Sequence, residues 1–166
     1  TCMSPRRMLG EKKAHCMEGA LFAATALWFH GQKPLLLDIT SVEHDLDHVV
    51  ALFQKNKRWG AISKTNHAVL RYREPVYRDV RELAMSFFHE YFTNDGKKTM
   101  RSFSKPFNLQ RFGYNWITSE KDLWDIADAL DASPHLSILT KNMINGLRRA
   151  DPAETEAGKI TQYKRR

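Results

Sequence analysis

The chain is poor in cysteine: only Cys2 and Cys16 occur in 166 residues. Two cysteines cannot make a disulfide framework. Thr1 to Arg7 do not read as a secretion signal, which points to a reducing, cytoplasmic setting. They do not read as a natural start either, which leaves open whether residues precede Thr1. No apolar stretch approaches the roughly 18 residues needed to cross a membrane; the longest apolar-rich run, Gly19 to Phe29, is too short. There is no Gly-rich phosphate loop and no Gly-x-Ser-x-Gly elbow. Zinc-finger spacing and RNA-binding signatures are also missing. These absences leave a single soluble domain, and a cysteine that no disulfide requires is free for chemistry.

What is abundant is positive charge. The formal net charge is +7. Residues 54–81 hold eight Lys/Arg against Glu74 and Asp79, and residues 97–111 hold five with no acid. Asp38, Glu43, Asp45 and Asp47 form the opposing acidic cluster. This balance suits an anionic partner, nucleic acid included, or simply a solvated basic face. Oligomeric state is left open.

The hydrophobic pattern predicts an α+β domain over residues 1–150, with a helical part at 76–150. A polar basic tail at 151–166 follows. Residues 1–13 read as irregular. Cys16 to His30 reads as a buried helix, apolar nearly all round and stopped by Gly31. Strands are expected at Pro34–Ile39, His48–Phe53 and Trp59–Ser63, with another at Ala68–Tyr72. Val80, Leu83, Ala84, Phe87 and Tyr91 recur at helical steps, predicting a helix over Val76–Phe92. Further helices are expected from Ser119 and from Ser133-Pro134.

Cys16 stands at the start of the buried helix. Unpaired N–H groups and the helix dipole there favour a thiolate and can hold an oxyanion. A thiol nucleophile needs a base on a neighbouring rigid element, and His48 opens the next strand but one.

His15-Cys16-Met17-Glu18-Gly19-Ala20, followed by Gly31 and Pro34, resembles the core of the transglutaminase-like superfamily. Asp47-His48-Val49-Val50-Ala51-Leu52-Phe53 resembles its histidine strand, and Arg58-Trp59-Gly60-Ala61-Ile62 its hairpin return. The resemblance covers about residues 14–75. It implies a papain-like fold of the bacterial transglutaminase-like kind, with a Cys–His–Asp triad for acyl transfer or amide hydrolysis of a peptide or protein. No cofactor is implied. Where the family places its aspartate after the histidine, this chain has Ser63. Asn66 follows shortly after and offers a neutral orienter, as in papain-type sites. Either Asn66 or Ser63 therefore holds His48, or the site is degraded and survives as a scaffold for an anionic partner.

Other readings compete. His15 is a rival base, though its neighbouring position on a helix start aims it elsewhere. Trp59 suits a core anchor or a shield near the site. His44 and His48 are four apart, but this segment reads as strand and lacks a third zinc ligand. Phe103, Phe107, Phe112, Tyr114 and Trp116, interleaved with Lys105 and Arg111, could stack nucleobases or pack on the core.

Overall fold

The computed structural model describes residues 1–163. Its centre is an antiparallel sheet. Three consecutive strands, β1 (Leu35–Thr40), β2 (His48–Lys55) and β3 (Arg58–Ser63), form a meander. β1 is buried along most of its length, as its continuous apolar run requires. β2 turns into β3 through Asn56-Lys57. Both take positive φ (51° and 59°), the backbone a tight two-residue hairpin demands.

On one side the meander is extended by β4 (Arg73–Tyr77), and on the other by β5 (Ser102–Ser104) and β7 (His135–Ser137). The short β6 (Phe107–Asn108) pairs with the start of β1, while β5 pairs with its end. Pro106, which has no N–H to donate, sits in the break between them. Across that break the Asp38 N–H donates to Ser104 Oγ at 2.9 Å.

Alternation along the strands sends side chains to two faces. Leu36, Val49 and Ala51 meet Ala20, Leu21, Ala23 and Ala24 of helix α2 (Cys16–Phe29), together with Ile126 and Leu130 of α4 (Trp124–Asp131). Leu37, Ile39, Val50 and Leu52 meet Leu83, Ala84 and Phe87 in and after α3 (Val80–Met85), with Met100, Phe103 and Ile138. The architecture is thus mixed α+β, an antiparallel sheet covered on both faces.

Several expectations for the flanking elements are corrected. Residues 4–11 are ordered: Ser4 caps helix α1 (Pro5–Glu11), with Pro5 in the first turn. The strand expected at Ala68–Tyr72 lies instead at Arg73–Tyr77. Pro75 fits there because β4 is an edge strand, where a missing donor costs no ladder bond. The long helix over Val76–Phe92 is reduced to α3 and a 3-10 turn, Phe88–Glu90. The sheet takes Val76 and Tyr77, Asp79 caps at Glu82 N, and the Ser86 hydroxyl returns to the Leu83 carbonyl, competing with further helical bonds. The apolar stripe survives as burial of Leu83, Ala84, Phe87, Phe88 and Tyr91.

The Ser119 helix begins only at Trp124, because Ser119 Oγ accepts from Lys121 N in a local turn and Leu123 N donates to the Cys2 carbonyl. Ser133-Pro134 starts no helix. The chain there enters β7, and the helix α5 (Lys141–Asn145) starts later, at the Thr140 cap. Residues 76–150 are therefore not a helical appendage, since three strands of the sheet lie within them. The expected tail contains a capped helix, α6 (Pro152–Lys159). Residues 164–166 lie outside the described residues.

Candidate active site

Cys16 is the first residue of α2, as its sequence position suggested. Two features fix that end of the helix. The first is Glu18, whose side chain is buried and accepts from the N–H groups of His15 (2.9 Å) and Met3 (3.3 Å) and from Thr1 Oγ1. The second is Gly19. A Cβ built there would lie 2.3 Å from Lys64 Cβ, so only glycine lets α2 approach the segment that follows β3.

The Cys16 thiol is half-buried and donates to the Asp47 carbonyl at 3.9 Å, at the beginning of β2. Burial pushes its pKa up. The N–H groups of Val49, Met17 and Cys16 itself act in the opposite direction but do not prevail. Burial thus favours the thiol over the thiolate at the resting sulfur. Cys2 is a different case: it is buried, donates to the Leu123 carbonyl, and burial pushes it up to about 12.

His48 opens β2, on the α3 side of the sheet, with its ring edge-on to Phe87 at 6.4 Å. Its Nε2 lies 2.7 Å from Ser63 Oγ, and Ser63 Oγ lies 2.5 Å from the Leu70 carbonyl. A hydroxyl has one proton, and a carbonyl can only accept. Ser63 therefore gives its proton to Leu70 and accepts from His48. That assigns the neutral imidazole as the Nε2–H form and leaves the Nδ1 lone pair open. Burial pulls the His48 pKa down to about 4, further lowered by Arg73 and partly offset by the Leu70 carbonyl.

The Leu70 carbonyl is aimed by its own backbone. Leu70 takes the left-handed conformation (φ 58°), which a leucine adopts only when held there. Glu90 holds it, accepting from Leu70 N at 2.7 Å while paired with Arg73 at 2.7 Å.

Cys16 and His48 line one cleft of about 840 Å³, with Asp45, Asp47, Tyr91 and the loop around Asn66 among its other walls. They approach the start of β2 from the two faces of the sheet. No hydrogen bond joins them among the described residues; the thiol is engaged by the Asp47 carbonyl. Of the two expected orienters, Ser63 is in place and Asn66 is not. Both polar atoms of the Asn66 amide are bound to Tyr163: Nδ2 donates to its carbonyl and Oδ1 accepts from its N–H, each at 2.9 Å.

His15 is the N-cap residue of α2 and lines the cleft rim. Trp59 packs against the α3-side core. Among the described residues, no group of three or more His, Cys, Asp and Glu is placed to hold a metal. Of the aromatics in the basic stretch, Phe103, Phe107 and Trp116 are buried in the cores, and Phe112 packs against one of them. Tyr114 is exposed but stacks on Trp28 at 4.5 Å between centroids.

Two features were not found from sequence. Tyr91 is buried at the cleft, and its hydroxyl donates to the Leu46 carbonyl. Burial, then Asp45 and Asp47, push its pKa up. Asp38 is buried on β1 and meets His135 Nε2 at 3.0 Å, while His135 Nδ1 donates to the Ser133 carbonyl at 2.7 Å. With Nδ1 committed as donor, the Asp38–His135 bond requires a second proton, on one partner or the other. Burial raises Asp38 to about 6, with the His135 contact opposing. An aspartate inside an otherwise apolar strand was the available signal; its partner was hidden in a segment expected to be helical.

Neither a family model nor a curated protein matches the chain.

Proposed function

We propose that the cleft is a thiol-dependent site for acyl transfer or amide hydrolysis, of the transglutaminase-like, papain-like kind, with Cys16 as nucleophile, His48 as base and Ser63 as the orienting group. The supporting observation is the committed Ser63 proton: it leaves His48 protonated at Nε2 and unprotonated at Nδ1, the neutral form a general base needs.

In this reading the pair rests neutral. In the productive complex the Cys16 S–H leaves the Asp47 carbonyl and gives its proton to His48 Nδ1. As the proton transfers, sulfur attacks the substrate carbonyl carbon, and the N–H groups at the start of α2 receive the oxyanion. Collapse breaks the bond to the leaving amine or thiol, which takes the proton back from Nδ1. The acyl-Cys16 thioester then passes to water or an amine, again with Nδ1 as base.

A peptide thioester tests this in a single turnover at pH 7, with intact-mass detection of the acylated protein. Wild type should form the adduct on Cys16, and Cys16→Ser should not. His48→Gln should slow it by about 100-fold or more, the usual contribution of a general base. An absent adduct, or one indifferent to His48, would reject the catalytic reading.

A second reading has its own support. Ser63 replaces the carboxylate that would stabilise an imidazolium, and both pKa directions disfavour an ion pair. On this reading the chain is a non-catalytic relative whose basic surface binds an anionic partner. It predicts no adduct, together with binding to a polyanion that weakens steeply with salt.

A further inference from the structure

We infer that the cleft rim at Asn66–Ala68 is a docking ledge for the main chain of an extended polypeptide, and that residues 160–163 occupy it in cis as a displaceable strap. This deepens the reading of the cleft as a peptide site, but it rests on separate observations.

The contacts are those of an added strand. The Ala68 N–H donates to the Ile160 carbonyl at 2.9 Å, and the Gln162 N–H donates to the Asn66 carbonyl at 2.8 Å. His67 and Thr161 form an antiparallel bridge between them. The Asn66 side chain then holds both main-chain groups of the next residue, accepting the Tyr163 N–H and donating to the Tyr163 carbonyl. Every one of these bonds goes to main-chain atoms of the occupant, which any sequence could supply.

The occupant buries little of itself. Ile160 and Tyr163 are 61% and 63% exposed, and α6, which leads into the strap, has no buried residue. Such a segment is held by hydrogen bonds and by its tether rather than by a core. The tether is specific. Lys98 Nζ meets Glu154 at 3.3 Å, the Gly158 carbonyl accepts from His67 Nδ1 at 2.8 Å, and Gly158 lies where a Cβ would come 3.1 Å from the Phe92 ring.

The position gives the ledge its consequence. Asn66 and His67 line the same cleft as Cys16 and His48, and so do Thr155 and Gly158 of α6. A polypeptide lying on the ledge runs past the cleft mouth, while the strap blocks that course. Because the strap is tethered, it competes at high effective concentration and keeps a free peptide off until it is released.

The test uses the full chain in a Cys16→Ser background, so that binding is read without thiol chemistry. The probe is a fluorescein-labelled peptide with the sequence of residues 158–163, blocked at both ends, followed by fluorescence anisotropy. Two variants release the strap by different means. Gln162→Pro removes the N–H that Asn66 accepts, and Glu154→Lys sets two cations against each other at Lys98. Each should bind the probe at least tenfold more tightly than the parent. Adding Asn66→Ala should remove that gain, and a probe N-methylated at the glutamine should not bind. Released variants that bind no better than the parent, or that hold the N-methylated probe equally well, would overturn the proposal. Tight, Asn66-dependent binding alongside failure of the thioester experiment would preserve the ledge and reject only the chemistry.

Discussion

His48 and Asp38 are the two buried groups whose ionisation differs most usefully from that of the unfolded chain, and they act in opposite directions. The His48 pKa falls from 6.5 to about 4 on folding. Its contribution to stability is therefore full above pH 6.5 and is lost as the pH drops through 4, a change of about 3 kcal/mol. The Asp38 pKa rises from 3.8 to about 6. Its contribution is full below pH 3.8 and is lost as the pH climbs through 6. Over pH 4–6 the two trends offset each other. Relative to wild type, His48→Gln should lose stability progressively as the pH rises from 4 to 6, and Asp38→Asn should gain it. Denaturant midpoints across that range check both; two variants whose difference from wild type does not change with pH would contradict these assignments.

Ser63 is the residue on which the chemistry of His48 turns. Ser63→Asp puts a carboxylate beside His48, where the serine hydroxyl now lies 2.7 Å from Nε2. An opposite charge at that range favours the imidazolium, so the His48 titration should move up by about one to three units. Alkylation of Cys16 at pH 7 should accelerate as the cation forms. An NMR titration of His48 that is unchanged by the substitution would show that position 63 does not hold the ring.

At the scale of elements, the site depends on how closely α2 meets the end of β3. Gly19→Ala forces its new methyl into Lys64, where backbone and side-chain stem both lie within contact range. Overpacking of this kind costs about 1–3 kcal/mol. Here it should also shift the segment after Ser63, slowing Cys16 acylation more than the loss of stability accounts for. A variant with wild-type acylation and an unchanged melting temperature would show that the close approach is dispensable.

The elements that carry Cys16 and His48 were legible because their signals are strong and local. α2 is an apolar run ended by Gly31, and β1 to β3 are apolar strands separated by polar turns. The flanking elements were harder to read because long-range pairing overrode local pattern. Val76 and Tyr77 fall within the expected helix, yet the edge of β3 takes them. Ser133-Pro134 looks like a helix start, yet β5 draws His135–Ser137 into the sheet. Asn66 and Ser63 were both open as orienters, since sequence could not show that Tyr163 would return to bind the Asn66 amide.

At the scale of the molecule, the cleft gathers pieces distant in sequence: the start of α2, the start of β2, the loop after β3, residues 90–95 and α6. Its walls carry Asp45, Asp47, Glu90 and Asp95, although the chain as a whole is strongly basic. The acidic lining of the cleft thus contrasts with the net positive charge of the chain. No helix among the described residues is long and apolar enough to cross a membrane.

In the proposed site His48 stands neutral, protonated at Nε2, with Nδ1 free for the Cys16 proton. Nitrogen-15 NMR of histidine-labelled protein at pH 7 reads this directly. The expected spectrum shows a protonated Nε2 coupled to its hydrogen and an unprotonated Nδ1 whose shift moves when Cys16 is replaced by serine. A proton on Nδ1 instead, or an Nδ1 signal indifferent to that replacement, would contradict it.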